Sequence, residues 1–354
     1  PIEVVTNSIS KNKELEFFRV FLLRIQAQNF QREQKLKETV ELLNKAIVLA
    51  RKHNEQIVVA RLLQNLANVI KHTNVKRATN ILLTSRVMSE ELGYLYNIGL
   101  IQSELGHIMG FRGELNAAVE YNREYARILK SLACPGPLTY AITASYLNQS
   151  GNGEEALESA RASIDLLSSS PRYDPFAHAQ MAYAWINLEE YEEAKAELAK
   201  AQELVTKSGD FRLLVWCRLI EGILDKAEGR FDSAIECFNE VWKHLEEDPT
   251  PIFQNLCLLN LTDIEIEKLS EKSLDKEATH SGPWMQRLEE HTQKNDFPGI
   301  AAQFLLLKAR LRHKQGLFEE VRKILKQVQK TAEAPSMKYL NDMSVAMSPD
   351  TILN

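Results

Sequence analysis

The sequence predicts an all-α array in which antiparallel helix pairs stack one upon the next, an α-solenoid. Three observations predict it: a pattern recurring at intervals of about forty residues, the placement of the prolines, and the lack of any sustained strand-like alternation. The pattern is an anchor residue followed three places later by a small or β-branched one, just past a polar turn. It reads Phe231-Asp-Ser-Ala234, Tyr191-Glu-Glu-Ala194 and Phe318-Glu-Glu-Val321. Leu115-Asn-Ala-Ala118, Val75-Lys-Arg-Ala78 and Gly153-Glu-Glu-Ala156 fall in the same phase. Units with this period cannot bury their apolar faces alone, so neighbours must stack to make a core.

Proline supplies an independent check, because inside a helix it removes a hydrogen bond and clashes with the preceding turn. None of the eleven prolines interrupts a periodic segment. Eight helix pairs follow, in order. The first, 14–54, matches the pattern poorly and reads as a cap. The second, 55–93, carries the Val75 anchor and ends at Gly93, a residue that takes a left-handed cap cheaply. The third, 94–133, turns at Gly113 and stops before Pro135 and Pro137. The fourth, 135–170, turns at Gly151 and ends at Pro171 and Pro175. The fifth, 174–209, carries the Tyr191 anchor and closes at Gly209. The sixth, 211–247, turns at Gly229 and is ended by Pro249 and Pro251. The seventh, 250–296, is irregular: a helix over about 250–270, a longer polar loop at 271–282, then a helix opened by Pro283. The eighth, 297–334, begins beside Pro298 and turns at Gly316. These pairs make one repeat domain over 1–334, and residues 335–354, which keep no period, are expected to form a loose tail.

Composition narrows the function. The apolar fraction of 44% and charged fraction of 26% are those of a well-packed globular chain. A net charge of −5 argues against nonspecific nucleic-acid binding. No run of eighteen apolar residues offers a membrane span, and Pro1-Ile-Glu-Val-Val lacks the basic flank and apolar block of a secretory signal. The missing initiator Met fits a processed chain or an excised segment. Four cysteines without a Cys-x-x-Cys pair point to a reducing, cytoplasmic setting.

Within each pair the residues resemble the tetratricopeptide repeat (TPR). The unit at 211–247 places Gly222, Ala234, Phe238 and Val241 at the family's positions, and the unit before it places Ala182, Trp185, Ala194, Leu198 and Ala201. The unit before that offers Tyr140, Ala144, Leu147, Ala156 and Ala160, with Leu105-Gly106 and Leu66-Ala67 further upstream. Small residues are needed where two helices cross closely. The family's usual unit is shorter than these, which resembles the extended variant in sensor domains of maltose-regulon-type activators and in kinesin light chains. The last unit departs too, with Lys308, Arg312 and Val321 where the family keeps apolar or small residues. The resemblance implies a right-handed α-α superhelix whose concave groove binds partners.

Candidate chemistry is sparse. Gly151-Asn-Gly153-Glu-Glu-Ala156 matches G-x-G-x-x-A, but that pattern receives a pyrophosphate only after a strand, and here a helix precedes it and two acids follow. It reads as a hairpin turn. Cys217, Cys237 and Cys257 are spaced by twenty and could approach one another, yet no histidine joins them at metal-ligand spacing, so they read as small buried hydrophobes. Acidic pairs at Glu189-Glu190, Glu192-Glu193 and Glu246-Glu247 suit solvated helix ends better than acid–base catalysis. Asn148-Gln-Ser150 and Asn260-Leu-Thr262 fit the glycosylation acceptor but fall within helices. No nucleophile elbow or phosphate-binding Gly-Lys-Ser/Thr loop occurs. No cofactor, metal or enzymatic activity is expected.

The resemblance assigns the groove to the first helix of each pair. There Arg61, Gln64, Asn68 and Lys71 recur every three or four places and share one face. Ser103 and His107 continue that stripe, followed by Asn148, then Tyr183 and Asn187. A stripe of cation, amide and aromatic groups suits an extended peptide carrying an acidic group, and equally suits a solvated surface. The family's carboxylate clamp for chaperone C-termini is not reproduced. The expected function is a scaffold or adaptor gripping a protein or peptide segment, with neither nucleic acid nor membrane as direct partner. The alternative is a ligand- or partner-sensing domain of a larger signalling or transcription-regulatory protein.

Overall fold

The computed structural model describes residues 16–134, 136–166, 174–247, 249–269 and 282–346. Among them there is no strand. The helices run in pairs: α1 (Phe18–Arg32) with α2 (Leu36–Lys52), α3 (Gln56–Ile70) with α4 (Val75–Glu91), and α5 (Leu95–Arg112) with α6 (Leu115–Ser131). Next come α7 (Pro137–Gln149) with α8 (Gly153–Leu166), α9 (Asp174–Asn187) with α10 (Tyr191–Ser208), and α11 (Phe211–Ala227) with α12 (Phe231–Glu247). The last are α13 (Pro251–Glu267) with α14 (Pro283–Lys294), α15 (Pro298–Lys314) with α16 (Phe318–Ala332), and a single α17 (Tyr339–Ala346). All eight expected pairs are present. Residues 271–281 of the expected loop, and Pro135 and Pro171, lie outside the described residues.

Local chemistry explains the boundaries. Pro137, Pro251, Pro283 and Pro298 open α7, α13, α14 and α15, where the missing N–H costs nothing and the ring presets φ. Asn74 caps α4 by accepting from the Arg77 amide, and Asp210 caps α11 by accepting from the amides of Arg212 and Leu213. The hairpin turns at Gly113, Gly151, Gly229 and Gly316 all adopt positive φ. Glu189 holds the equivalent turn between α9 and α10 at φ +61, with a side chain where the others have none.

The residues three places after each anchor are the packing seams. Ala78, Ala118, Ala156, Ala194 and Ala234 are fully buried, and Val321 nearly so. A Cβ added at Gly222 would press on Cys237 and the Phe238 ring at 3.0 Å, so a side chain there requires those neighbours to shift by a few tenths of an ångström. Burial pushes the thiols of Cys217 and Cys237 up to about 12 and raises that of Cys257 further, as expected of cysteines used as packing groups.

Where one domain is expected over 1–334, the chain divides into two compact units. Unit 1 comprises residues 1–108 and 124–134; unit 2 comprises 109–123 and 135–354. The division passes through α5 and α6, so the third pair contributes its turn end to unit 2 and its open end to unit 1.

A second correction concerns the C-terminus, expected to be loose from 335 onward. Pro335–Met337 form a 3₁₀ turn and 339–346 form α17. Met337, Tyr339 and Leu340 are buried in one core cluster with Leu115, Ala118 and Val119 and with residues of α15 and α16. The segment keeps no helical period because it is short and is held by a few anchors. The Tyr339 hydroxyl donates to the Gly113 carbonyl at 2.9 Å and accepts from Gln303 Nε2 at 2.7 Å, while the Tyr339 amide donates to Asn116 Oδ1 at 3.0 Å. Unit 2 thus joins its own beginning to its end. Gly113 and Gly299 meet there backbone to backbone, and a Cβ on either would collide with the other's strand of chain. Alongside, Asn255 Nδ2 donates to the Phe111 carbonyl at 2.7 Å and Asn255 Oδ1 accepts from His291 Nε2 at 2.8 Å. Burial, reinforced by Lys294, lowers the His291 pKa and favours its neutral form.

Candidate functional site

In unit 1 the sequence-derived stripe on α3 meets α5. Lys71 Nζ lies 2.6 Å from Glu104 Oε2, and Gln64 Nε2 donates to Glu104 Oε1 at 3.4 Å. His107 Nδ1 stands 3.9 Å from the same carboxylate. Burial pushes the Glu104 carboxyl up, but Lys71 and His107 more than offset it and hold its pKa at about 2. Arg61 approaches Asn97 Oδ1 at 3.5 Å and lies over the Tyr96 ring at 5.7 Å. Asn97 in turn donates to the hydroxyls of Ser85 and Ser89 at 3.2 and 2.9 Å. Gln64 and Lys71 are therefore buried between helices, where an open inner face is expected of them. The reason is the close approach of neighbouring pairs, which closes over the polar side chains one helix further on. Asn68 and Ser103 are half-buried on α3 and α5.

In unit 2 Asn148 is likewise enclosed. Its Nδ2 donates to the Gln180 carbonyl at 2.9 Å, and its own carbonyl accepts from Asn187 Nδ2 at 2.9 Å. These amides link α7 to α9. Asn148 is thus unavailable both to a groove ligand and to glycosylation.

Tyr183 is different. It borders a cavity of ≈ 260 Å³ wholly within unit 2, to which α7, α9, α11, α13, α15 and α17 all contribute. The apolar wall is Leu256, Leu259, Ile300, Leu306 and Leu307, with Met343 of α17 at one side. The polar wall is an ion network: Lys226 Nζ lies 2.6 Å from Asp263 Oδ2 and donates to Asn260 Oδ1 at 2.8 Å. Arg310, also on the wall, bridges Asp263 to Glu267, and behind the lining residues Lys314 Nζ lies 2.8 Å from Glu267 Oε2. Burial, with Arg310 close by, lowers the Lys314 pKa. Tyr183 is only 8% exposed, and burial pushes its phenol up to about 12, so the hydroxyl keeps its proton. Among the described residues that hydroxyl has no hydrogen-bond partner.

Sequence reasoning finds Tyr183 but misses Glu104, Lys226, Asp263 and Arg310. Their signal is opposite charge recurring about one repeat apart: Lys71 and Glu104 stand 33 residues apart, and Lys226 pairs with Asp263 of the next repeat. Among the described residues no group of three or more His, Cys, Asp or Glu side chains could hold a metal ion, and no helix is long and apolar enough to cross a membrane.

No family model matches the chain, and no curated protein matches it. Among solved structures, a tetratricopeptide repeat protein from Parabacteroides merdae is 17% identical, with 92% of this chain and 98% of that one covered and a TM-score of 0.40. RapI in its apo form is 13% identical over 94% and 97% of the two chains, with a TM-score of 0.45. A signal-transduction ATPase with a tetratricopeptide repeat sensor, from Pyrococcus horikoshii, is 11% identical at a TM-score of 0.44; this chain is covered over 97% but spans only 54% of that protein. The all-α repeat architecture stands on the helix pairs themselves.

Proposed function

We propose that the chain is a non-catalytic recognition array that holds a partner segment on the inner helices of unit 2. One observation carries this reading. Five helices that each stand first in their pair, α7, α9, α11, α13 and α15, turn side chains into a single cavity. Stacking of the alanine seams supplies the stability, so the residues on the inner side are free to serve binding. The size of the cavity favours a second reading, a sensor for a small ligand. At ≈ 260 Å³ it lies just below the usual range of about 300–1,000 Å³ for ligand pockets and holds one side chain or a small molecule rather than a long strand.

Panning a random-peptide display library against the protein tests the first reading, with Leu307→Trp as the cavity-filling control. Peptides enriched on the wild type are expected to lose at least about tenfold in affinity on the variant, a change of about 1.4 kcal/mol. Peptides that bind both proteins equally would place recognition elsewhere on the array.

A further inference from the structure

We propose that the unit 2 cavity takes an apolar monocarboxylate: a ligand with a hydrocarbon body and one carboxylate end. This deepens the reading above and rests on it.

The cavity wall holds Lys226 and Arg310 against Asp263, and the network continues behind it through Glu267 and Lys314, three cations to two carboxylates in all. Each cation is paired, but the network as a whole carries one positive charge in excess, at a partly buried place where screening is weak. The carboxylates are already engaged, Asp263 by Lys226 and Arg310 and Glu267 by Arg310 and Lys314, so a cationic ligand gains nothing there. An anion does. A phosphate, with a charge of about −1.5 to −2, exceeds the single surplus and would face Asp263 with its second charge. A carboxylate matches it.

Two further features select the rest of the ligand. Much of the remaining wall is aliphatic, from Leu256, Leu259, Ile300, Leu306 and Leu307, and rewards burial of a hydrocarbon body. Tyr183 is more than nine-tenths buried at the cavity edge, and among the described residues its hydroxyl has no partner. A buried phenol normally finds a hydrogen-bond partner, and a phenol that keeps its proton donates well to a carboxylate oxygen.

Such a ligand can be a free small acid or the terminal residue of a partner chain. Calorimetric titration of the full chain separates them, using octanoate, N-acetyl-leucine, and a hexapeptide ending in leucine. The neutral counterparts are octanol, N-acetyl-leucine amide, and the amidated hexapeptide. At least one acid is expected to bind about tenfold or more tighter than its neutral counterpart, as a charge-assisted hydrogen bond should provide. Octanoate binding alone assigns a free acid; binding of the leucine acids assigns a chain end. Tyr183→Phe is expected to weaken the acid about five- to tenfold. Lys226→Gln, which leaves Asp263 paired with Arg310, is expected to remove the preference for acid over neutral form. Leu307→Trp is expected to abolish binding, with an unchanged melting temperature showing that it is folded. Equal binding of acids and neutral counterparts, no binding of any acid, or acid binding that survives in Leu307→Trp would overturn the proposal. Display peptides that still distinguish wild type from Leu307→Trp in those cases would leave the recognition role standing.

Discussion

Lys71 and Glu104 illustrate what repeat stacking does to a charged side chain. The pair sits between α3 and α5 with both side chains about nine-tenths buried, and the carboxylate also accepts from Gln64. Removing the cation leaves a buried charge with only His107 near enough to offset it, so Lys71→Ala should cost about 3–5 kcal/mol in urea unfolding. Lys71→Ala with Glu104→Gln should recover most of that; a double variant as unstable as the single would show that packing, not charge, is at stake. The pair also fixes an acid response. The Glu104 pKa of about 2 in the folded chain lies below its ordinary value of 4.5, so the folded state prefers the ionised form. Its contribution is complete above pH 4.5 and is lost as pH falls toward 2, which Glu104→Gln should remove from the acid-unfolding profile. The sequence made the shared face of Arg61, Gln64, Asn68 and Lys71 legible, because helical spacing alone decides it. It could not show that the face is covered, since that depends on how closely α5 crosses α3.

The elements were almost wholly legible. Prolines at the first helical position and glycines at the turns mark boundaries by covalent geometry, which no tertiary contact overrides. The short helix α17 was not, because eight residues are too few to display a period and its hold comes from Tyr339 reaching distant partners. Two hairpin turns put a side chain at the left-handed position, Gln34 between α1 and α2 and Glu189 between α9 and α10. Glu189 is exposed and left-handed where Gly113, Gly151, Gly229 and Gly316 stand elsewhere. Glu189→Gly should therefore raise stability, by about 0.5–1 kcal/mol, since the strain relieved exceeds the chain entropy added. Gly229→Ala should cost about 1–2 kcal/mol for the converse reason. Thermal melts of the two variants check the sign, and a lower melting temperature for Glu189→Gly would mean that its side chain has a role of its own.

At the scale of the molecule the two units can be followed separately. All four tryptophans, Trp185, Trp216, Trp242 and Trp284, belong to unit 2, so selectively excited tryptophan fluorescence reports on that unit alone. Gly299→Ala forces a Cβ into the Gly113 backbone and should lower the fluorescence-detected stability by about 2–4 kcal/mol. A fluorescence transition unmoved by Gly299→Ala would mean that the contact between 113 and 299 carries no weight. The hydrogen bond from Tyr339 to the Gly113 carbonyl has a kinetic side as well, because its partners stand 226 positions apart in the chain. Adjacent helix pairs can condense as soon as each has formed, whereas this seam must await the diffusive meeting of remote ends and bear the entropy of the loop between them. Refolding of unit 2 should then finish with a slow zipping step, and a nascent chain still short of residue 339 would leave the cavity beside Met343 unsealed.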